Sequence, residues 1–272
     1  MMTTWLAAFL MALAADGGVP AKTASKPEAG VALAVDAGTA QVDAGVPVKK
    51  AALAPDVKAL VDRVQSFYEK TRDFTADFKQ DYTYKAFKRT VTSSGKVLFK
   101  KPQGTMPSLM RWEYEKPNPK TFVLAGDRVL AHDPEAKLVT AAAISTNQLS
   151  ASVTFLFGVG KLENEFDIVK KACAKCTGIQ LEMTPLVVDP RFKKILLEVD
   201  DKTGMVLKST VIDPDGSENA ISFLNLKTNV GIADAAFKIS PPPGTQVQDF
   251  RTGEKITVPG QVDGGVSLDA GK

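Results

Sequence analysis

The fold of this protein is decided by residues 95–134, which read GKVLFKKP at Gly95–Pro102, MRWEYEKP at Met110–Pro117 and VLAGDRVLAHDP at Val123–Pro134. A Pro or Gly turn closes each of these stretches, and apolar side chains alternate with other residues within them. Alternation with a period of two is typical of a β-strand with one buried and one solvated face. The stretch therefore predicts successive strands of a sheet with one apolar side and one wet side.

The alternation also assigns individual side chains to a face. Val97 and Phe99 share one face of the first strand, and Met110, Trp112 and Tyr114 share one face of the second. Acidic and basic residues occupy the opposite face of the second strand. We place the function on the apolar face, and a plain, filled core is the alternative interpretation of the pattern.

On the N-terminal side of this stretch, the spacing of the apolar residues changes. Apolar residues recur at helical spacing from Val57 to Tyr68, and Pro55 suits the first turn of a helix. From Asp73 onward the apolar residues alternate with a period of two, which predicts the first strand of the sheet. We therefore predict one amphipathic helix that precedes the first strand.

Towards the C-terminus, residues 147–162 contain several apolar residues and are interrupted by Gly158 and Gly160, which predicts one or two short helices. Further strands follow, separated by turn signals such as Asp213-Pro214-Asp215-Gly216. These strands are expected at Phe166–Val169, Ile179–Met183, Lys194–Val199, Met205–Ile212 and Ala220–Leu226. Hairpins without βαβ alternation predict an antiparallel sheet that curls around helices at its mouth.

The two ends of the chain differ from its centre. Residues 1–15 contain a short apolar run and an Ala-x-Ala pattern, which predicts a signal peptide cut near Ala14 or Ala15; the alternative is a cytosolic N-terminus. Residues 16–54 are rich in Ala, Gly, Pro and Val, and we expect a disordered linker there. We expect the folded domain at 55–250 and a flexible tail at 251–272.

Composition and charge exclude several classes of protein. A net charge of +3, with cations scattered among acids, argues against a nucleic-acid-binding surface. A single His and one pair of Cys residues argue against a zinc site, which needs about four ligands. Cys173 and Cys176 are compatible with a redox motif, half of a metal site or a structural disulfide, and their position at a turn favours the disulfide.

Residues with catalytic potential are few. His132-Asp133 could belong to a triad, but the chain has no Gly-x-Ser-x-Gly nucleophile motif. Phosphate-binding glycine loops are missing as well. We therefore predict neither an enzyme nor a cofactor.

Three segments in the correct order resemble the LolA family, the periplasmic carriers of outer-membrane lipoproteins in Gram-negative bacteria. Phe74–Gln80 is similar to the family's aromatic-x-Ala-x-Phe-x-Gln strand, and Gly95–Pro134 to its Gly, Lys-Lys/Arg-Pro, Trp and Asp-Gly series. Ala233–Val247 is similar to its Pro-Pro-x-Gly-Val ending. The resemblance implies an α+β, mainly β fold: an unclosed antiparallel β-barrel of about eleven strands, with helices as a lid over a hydrophobic cavity.

The resemblance also implies cargo and site residues. The cargo is the acyl chains of lipoproteins, received from an inner-membrane lipoprotein-releasing ABC transporter and given to an outer-membrane acceptor. Lys101 takes the place of the family's basic residue that holds the lid shut, and we expect a monomer. The cavity and lid residues are expected to be Val97, Phe99, Met110, Trp112, Tyr114, Phe122, Leu124, Phe155 and Leu156. A different lipid or a glycolipid is the alternative cargo.

Overall fold

The computed structural model describes residues 52–143, 161–259 and 267–270. Within these ranges the chain forms a sheet of thirteen strands and a few helices. The helices are α1 (Pro55–Lys70), α2 (Leu162–Glu165) and a short 3-10 helix (Asp234–Phe237). The strands are β1 (Asp73–Tyr84), β2 (Arg89–Lys100), β3 (Leu109–Lys116), β4 (Lys120–Ala125), β5 (Arg128–Asp133), β6 (Leu138–Ala143), β7 (Phe166–Lys171), β8 (Ile179–Pro185), β9 (Lys194–Val199), β10 (Val206–Ile212), β11 (Glu218–Thr228), β12 (Gln246–Asp249) and β13 (Lys255–Thr257).

The strands are ordered linearly as β13-β12-β6-β5-β4-β3-β2-β1-β11-β10-β9-β8-β7. The run from β6 to β7 contains eleven strands, and all of its neighbouring pairs are antiparallel. β12 adds to β6 in parallel orientation, and β13 pairs antiparallel with β12. The predicted fold class, an unclosed and mainly antiparallel sheet with few helices, is confirmed.

Helix α1 forms where the helical spacing predicts it, with Pro55 in its first turn. Its apolar stripe contacts one half of the sheet, because Val57, Leu60 and Val64 belong to the same buried cluster as residues of β7–β10. Each such aliphatic side chain contributes about 1.5–3 kcal/mol when it is fully buried. We call this group of residues the α1 cluster.

A second buried cluster lies on the other half of the same face and is called the central cluster. It consists of Phe74, Ala76, Phe78, Val97, Phe99, Met110, Trp112, Tyr114, Phe122, Leu124, Val129 and Ala142. Phe223 of β11 packs against both clusters, which places them on the same side of the sheet. We refer to this side as the inner face.

The outer face of β3–β6 is also covered, contrary to the expectation of one wet side. Val123 and Val139 are completely buried there, among residues of the C-terminal segment such as Phe237, Ile239 and Val247. Arg111 of β3 donates from Nη1 to the carbonyl of Lys238 at 3.0 Å, which ties that segment to the sheet. The physical reason is visible in Phe122–Ala125, a continuous apolar run typical of a strand that is buried on both sides.

The boundaries expected at the chain ends compare with the structure as follows. The predicted signal peptide at 1–15 and the linker at 16–54, except for residues 52–54, lie outside the described residues. The segment 251–272, expected as a flexible tail, contains β13 and the buried Val258 and Ala270. Ile239 and Leu268 form a β-bridge, so apolar residues of this segment extend the outer-face packing beyond residue 250.

Candidate functional site

The central cluster brings together most of the predicted site residues. These are Val97, Phe99, Met110, Trp112, Tyr114, Phe122 and Leu124, with exposed fractions between 0% and 8%. Phe155 and Leu156, the two predicted lid residues, lie outside the described part of the chain. Alternation along β2, β3 and β4 positions the seven side chains, since residues two apart on a strand share a face.

Phe78 of β1 lies at the middle of this cluster. Its ring is 4.9 Å from that of Trp112 and 5.0 Å from that of Tyr114, and both contacts are edge-on. Tyr114 in turn meets Phe122 edge-on at 5.9 Å. Such aromatic pairs are stabilising by about 0.5–1.5 kcal/mol beyond their buried area. The inner face of β1–β4 is therefore a packed, aromatic surface.

Five members of the cluster were not among the predicted site residues: Phe74, Ala76, Phe78, Val129 and Ala142. For three of them the signal was present in the sequence, because Phe74, Ala76 and Phe78 alternate along β1 in the same way as Met110 to Tyr114 along β3. Val129 and Ala142 belong to short strands whose residues are apolar on both faces. Their assignment to the inner face follows only from the register of β5 and β6.

A chain of polar groups borders the apolar residues of the cluster. The hydroxyl of Tyr114 donates to Oε1 of Gln80 at 3.0 Å, and Nε2 of Gln80 donates to Oδ1 of Asn219 at 2.8 Å. Gln80 and Asn219 are 1% and 2% exposed. Burial raises the pKa of the Tyr114 hydroxyl further above neutral pH. The chain satisfies buried polar atoms between β3, β1 and β11.

Lys101 contacts the end of helix α1. Its Nζ donates to the backbone carbonyls of Tyr68 at 2.6 Å and Glu69 at 2.8 Å, and its own N–H donates to the carbonyl of Arg72. The last carbonyls of a helix have no partner within it, and they carry partial negative charge that favours a cation. Burial lowers the pKa of the Lys101 ammonium, and the nearby Glu69 carboxylate opposes that shift. Lys101 thus joins the end of β2 to α1.

Cys173 and Cys176 form a disulfide in the turn between β7 and β8. The adjacent turn residues are held by Glu198, whose Oε1 accepts hydrogen bonds from the N–H groups of Thr177 and Gly178. The pair therefore lies at the tip of a hairpin. It is remote in the fold from the central cluster, since β7 and β8 belong to the other half of the sheet.

His132 and Asp133 do not form a catalytic arrangement within the described residues. Asp133 pairs with Lys120 at 3.3 Å, and it accepts a hydrogen bond from the N–H of Ala136 at 3.0 Å. Nε2 of His132 is buried without a hydrogen-bond partner. Burial lowers the pKa of His132, which leaves its imidazole neutral at pH 7. Asp133 serves the turn between β5 and β6.

None of the helices in the described ranges combines the length and the apolar content that crossing a bilayer requires. The central cluster offers aromatic and aliphatic surface together with a thioether, at Met110. Contacts of this kind have no directional preference and depend on the apolar area removed from water. The inner face is therefore suited to binding flexible apolar groups.

The fold and this site define a class of protein: an unclosed antiparallel sheet that carries an aromatic inner face and a helix tied to it by a basic residue. The family model described as outer membrane lipoprotein carrier protein LolA matches residues 69–240. The match includes β1–β11 and with them the whole central cluster. The chain belongs to the LolA family.

Two named relatives and one solved structure are similar to this chain. An outer-membrane lipoprotein carrier protein of Dechloromonas aromatica is 28% identical over 188 residues, which cover 69% of this chain and 86% of the relative. A protein of the same name from Methylococcus capsulatus is 28% identical over 188 residues, covering 68% and 85% of the two chains. A solved structure of a LolA superfamily protein from Nitrosomonas europaea shows 11% identity and a TM-score of 0.36, and covers 68% of this chain and 98% of that one.

Proposed function

We propose that this protein is a periplasmic chaperone for lipoproteins. It receives acylated lipoproteins from the inner-membrane lipoprotein-releasing ABC transporter and delivers them to an acceptor at the outer membrane. The observation that carries the proposal is the central cluster, an aromatic and aliphatic surface that is concentrated on one half of the inner face. Membership of the LolA family, together with relatives named outer-membrane lipoprotein carrier proteins, supports it.

The energetics of acyl chains explain the need for such a surface. Each CH₂ group removed from water contributes about 0.8 kcal/mol, so one long acyl chain that is exposed in the periplasm costs about 10 kcal/mol. Contacts with Phe78, Trp112 and Phe122 would offset that cost without selecting a particular protein. Met110 has a flexible thioether that adapts to different chain positions. One carrier would therefore serve many lipoproteins.

Cargo must displace contacts that the protein makes with itself. The predicted cavity residues of β2–β4 are at most 8% exposed, so the structure corresponds to a closed state. We propose that entry of cargo parts the central cluster from the α1 cluster and breaks the hydrogen bonds of Lys101 to the carbonyls of Tyr68 and Glu69. The hydrogen bonds of Lys101 re-form after cargo leaves. Opening requires no cofactor and no catalytic step.

The acyl chains then pass from this protein to a partner that binds them with higher affinity. An acceptor that buries more apolar area of the acyl chains than the central cluster does will take them without an energy source. Reformation of the α1 contacts and of the aromatic pairs around Phe78 favours release from this protein. The carrier acts as a monomer in this scheme, because one inner face holds one cargo.

Site-specific photo-crosslinking tests the proposal. A photoreactive amino acid at the position of Met110 faces the central cluster, whereas the same group at the position of Glu113 on the same strand faces outward. When lipoprotein is released from inner-membrane vesicles, we expect adducts at the first position and none at the second. Equal adducts at both positions, or none at either in the presence of released lipoprotein, would refute binding at the inner face.

The nature of the cargo is tested separately. Mass spectrometry of material that co-purifies from the native periplasm should identify triacylated peptides. Phospholipid or glycolipid in their place would redirect the proposal to another lipid cargo. In that case the crosslinks at the Met110 position would persist with a different adduct mass, so the two results are distinguishable.

A further inference from the structure

One end of the sheet displays two apolar tips. At this end β1 turns into β2, β8 leads into β9, and β10 turns into β11. The register places these connections together, because Thr83 pairs with Glu218, Glu218 with Ile212, and Ile212 with Lys194. We call this end of the sheet the hairpin end and the other end of the sheet the opposite end.

The first tip is the turn Tyr84–Arg89. Phe87 is 78% exposed there, and Lys85, Lys88 and Arg89 surround it in the sequence without an acidic neighbour within the turn. The turn is well supported, since the rings of Tyr84 and Phe87 are 6.3 Å apart and the N–H of Lys85 donates to Oγ of Ser217 at 3.2 Å. An aromatic side chain is thus presented to solvent from an anchored hairpin that carries three cations.

The second tip lies in the loop between β8 and β9. Val187 and Val188 are 82% and 91% exposed. The loop is fastened on both sides, because the N–H of Leu186 donates to the carbonyl of Glu165 at 2.9 Å and that of Lys193 to the carbonyl of Ile212 at 2.7 Å. The two adjacent valines are therefore held in water by an anchored loop.

The charges of the Phe87 tip favour an anionic partner, because the turn Tyr84–Arg89 contributes Lys85, Lys88 and Arg89 and no acid. Around the second tip acids and cations are paired, Arg191 with Asp189 and Lys194 with Glu182. The turn between β10 and β11 contributes acids: Asp213, which accepts from the hydroxyl of Tyr82 at 2.6 Å, Asp215, which accepts from Oγ of Ser217 at 2.9 Å, and Glu218 at the start of β11. The positive charge of the hairpin end is therefore concentrated in the turn that carries Phe87.

We propose that the hairpin end docks on the surface of an anionic lipid bilayer. Phe87 and the pair Val187 and Val188 insert among the headgroups, while the cations beside Phe87 contact lipid phosphates. Exposed apolar side chains rimmed by cations match the two halves of such an interface, apolar acyl boundary and negative headgroup. Two tips at the same end of the sheet, separated by β10 and β11, would orient the sheet with its strands pointing away from the membrane. Docking of this kind needs no lipoprotein and is separate from the binding of cargo.

Sedimentation with lipid vesicles tests the proposal, with the full-length protein and no lipoprotein. Vesicles that contain phosphatidylglycerol should bind the protein, and vesicles of phosphatidylcholine alone should bind it far less. Each cation at the surface contributes roughly fivefold to the partition coefficient, so Lys85→Gln, Lys88→Gln and Arg89→Gln together should weaken binding on the order of a hundredfold. Phe87→Ser should weaken it about tenfold.

Matched controls come from the opposite end. Phe250 is 57% exposed beside Arg251, and Val230 is 50% exposed after β11. Phe250→Ser and Val230→Ser should leave vesicle binding unchanged, whereas Val187→Ser with Val188→Ser should weaken it. All substituted positions are at least half exposed or charged, and far-UV circular dichroism verifies folding.

Three outcomes would overturn the proposal. Equal sedimentation with the two kinds of vesicle would show that binding does not require anionic lipid. Equal losses of binding in the hairpin-end variants and in the opposite-end controls would show that the binding surface is not at the hairpin end. Binding to an acidic polypeptide that competes fully with vesicles and is insensitive to Phe87→Ser would assign the cations to a protein partner.

Discussion

The ammonium of Lys101 and the backbone carbonyl of Tyr68 are 2.6 Å apart, which links the end of β2 to the last turn of α1. Tyr68 is itself a bridge, because its hydroxyl accepts a hydrogen bond from the N–H of Val206 on β10. Through these two residues, the strand that carries Val97 and Phe99 is connected to α1 and to the far half of the sheet. These polar contacts at one helix end therefore join the two halves of the sheet, in addition to the apolar packing of α1 on β7–β10.

Lys101→Met tests the contribution of this link. The variant loses the hydrogen bonds to Tyr68 and Glu69 but keeps an apolar stem, and we expect the free energy of unfolding to fall by about 1 kcal/mol. Amide exchange in the last turn of α1 should accelerate by a larger factor than in β1. Lys101→Arg is the matched control, since it retains the charge and the donors. Equal exchange of α1 in Lys101→Met and the wild type would show that the link does not hold the helix.

The polar chain beside the central cluster leads to a second prediction. Tyr114→Phe removes the donor to Oε1 of Gln80, which stays buried, and we expect a loss of about 1–2 kcal/mol in stability. Binding of a fluorescent fatty-acid probe should remain within about twofold, because the ring contacts with Phe78 and Phe122 are retained. Stability is measured by urea unfolding. A large loss of probe binding with normal stability would instead place the hydroxyl in the binding surface.

Gln80→Leu, alone and combined with Tyr114→Phe, completes the comparison. If the two side chains act through their hydrogen bond, the double variant is less destabilised than the sum of the single ones. Additive losses would mean that each residue acts through other contacts, such as the bond from Gln80 to Asn219.

Much of this architecture was predictable from local sequence patterns. Alternation in β2 and β3 identified the inner-face residues Val97, Phe99, Met110, Trp112 and Tyr114, because a strand fixes which residues share a face. Helical spacing located α1 for the same reason. The covering of the outer face was not predicted, since Phe237 and Ile239 reach β4 only through the tertiary fold. The apolar run of Phe122–Ala125 was the local sign of that covering.

The function of the protein was harder to predict from its residues than the fold. An apolar face predicts burial, and its pattern is the same whether protein or ligand does the burying. The resemblance to the LolA family therefore supplied the cargo. The role expected of Lys101, to hold the lid, came from the same source, and its contact with α1 came from the structure alone, because backbone carbonyls such as those of Tyr68 and Glu69 leave no mark in the side-chain pattern. Phe87 and Val187 lie in sequence segments that are typical of turns and loops. Only the fold shows that both residues lie at the hairpin end of the sheet.

Acid should weaken the far half of the sheet through Glu182. A hydrogen bond from Lys194 at 2.9 Å lowers the pKa of the Glu182 carboxyl, with burial opposing and the charge of Lys171 assisting. A depressed pKa in the folded state contributes stability above the unfolded value near 4.5, and this contribution is lost as the pH falls through the folded value. Since the Lys194 side chain is partly exposed, we expect a contribution of about 0.5 kcal/mol to stability at pH 7.

Glu182→Gln provides the comparison for that effect. Urea unfolding of the wild type and the variant should differ at pH 7 and converge below the folded pKa of Glu182. Salt should reduce the difference at pH 7, because the pair is partly exposed. A difference that is constant from pH 7 to pH 3 would mean that the contacts of the amide group, and not the charge, are responsible.

The last prediction concerns Gly95, where β2 passes close to β3. A Cβ at this position would overlap the carbonyl oxygen of Glu113 and lie 2.9 Å from Cα of Tyr114, and both are backbone atoms that cannot rotate away. The register of the two strands also shifts between Ser94 and Gly95, which brings β3 across the glycine. Such close approach of two backbones is a reason for glycine within a strand.

Gly95→Ala should therefore force β2 and β3 apart and disturb the packing of Tyr114 on Phe78. We expect a loss of about 3 kcal/mol in the free energy of unfolding, at the upper end for a single methyl group. Ser94→Ala, one residue earlier on the opposite face of β2, is the control and should change stability by less than about 0.5 kcal/mol. Urea unfolding measures both variants. Similar stability of the two would show that the strands separate at little cost, and the register of β2 on β3 would then depend on the side chains of the central cluster alone.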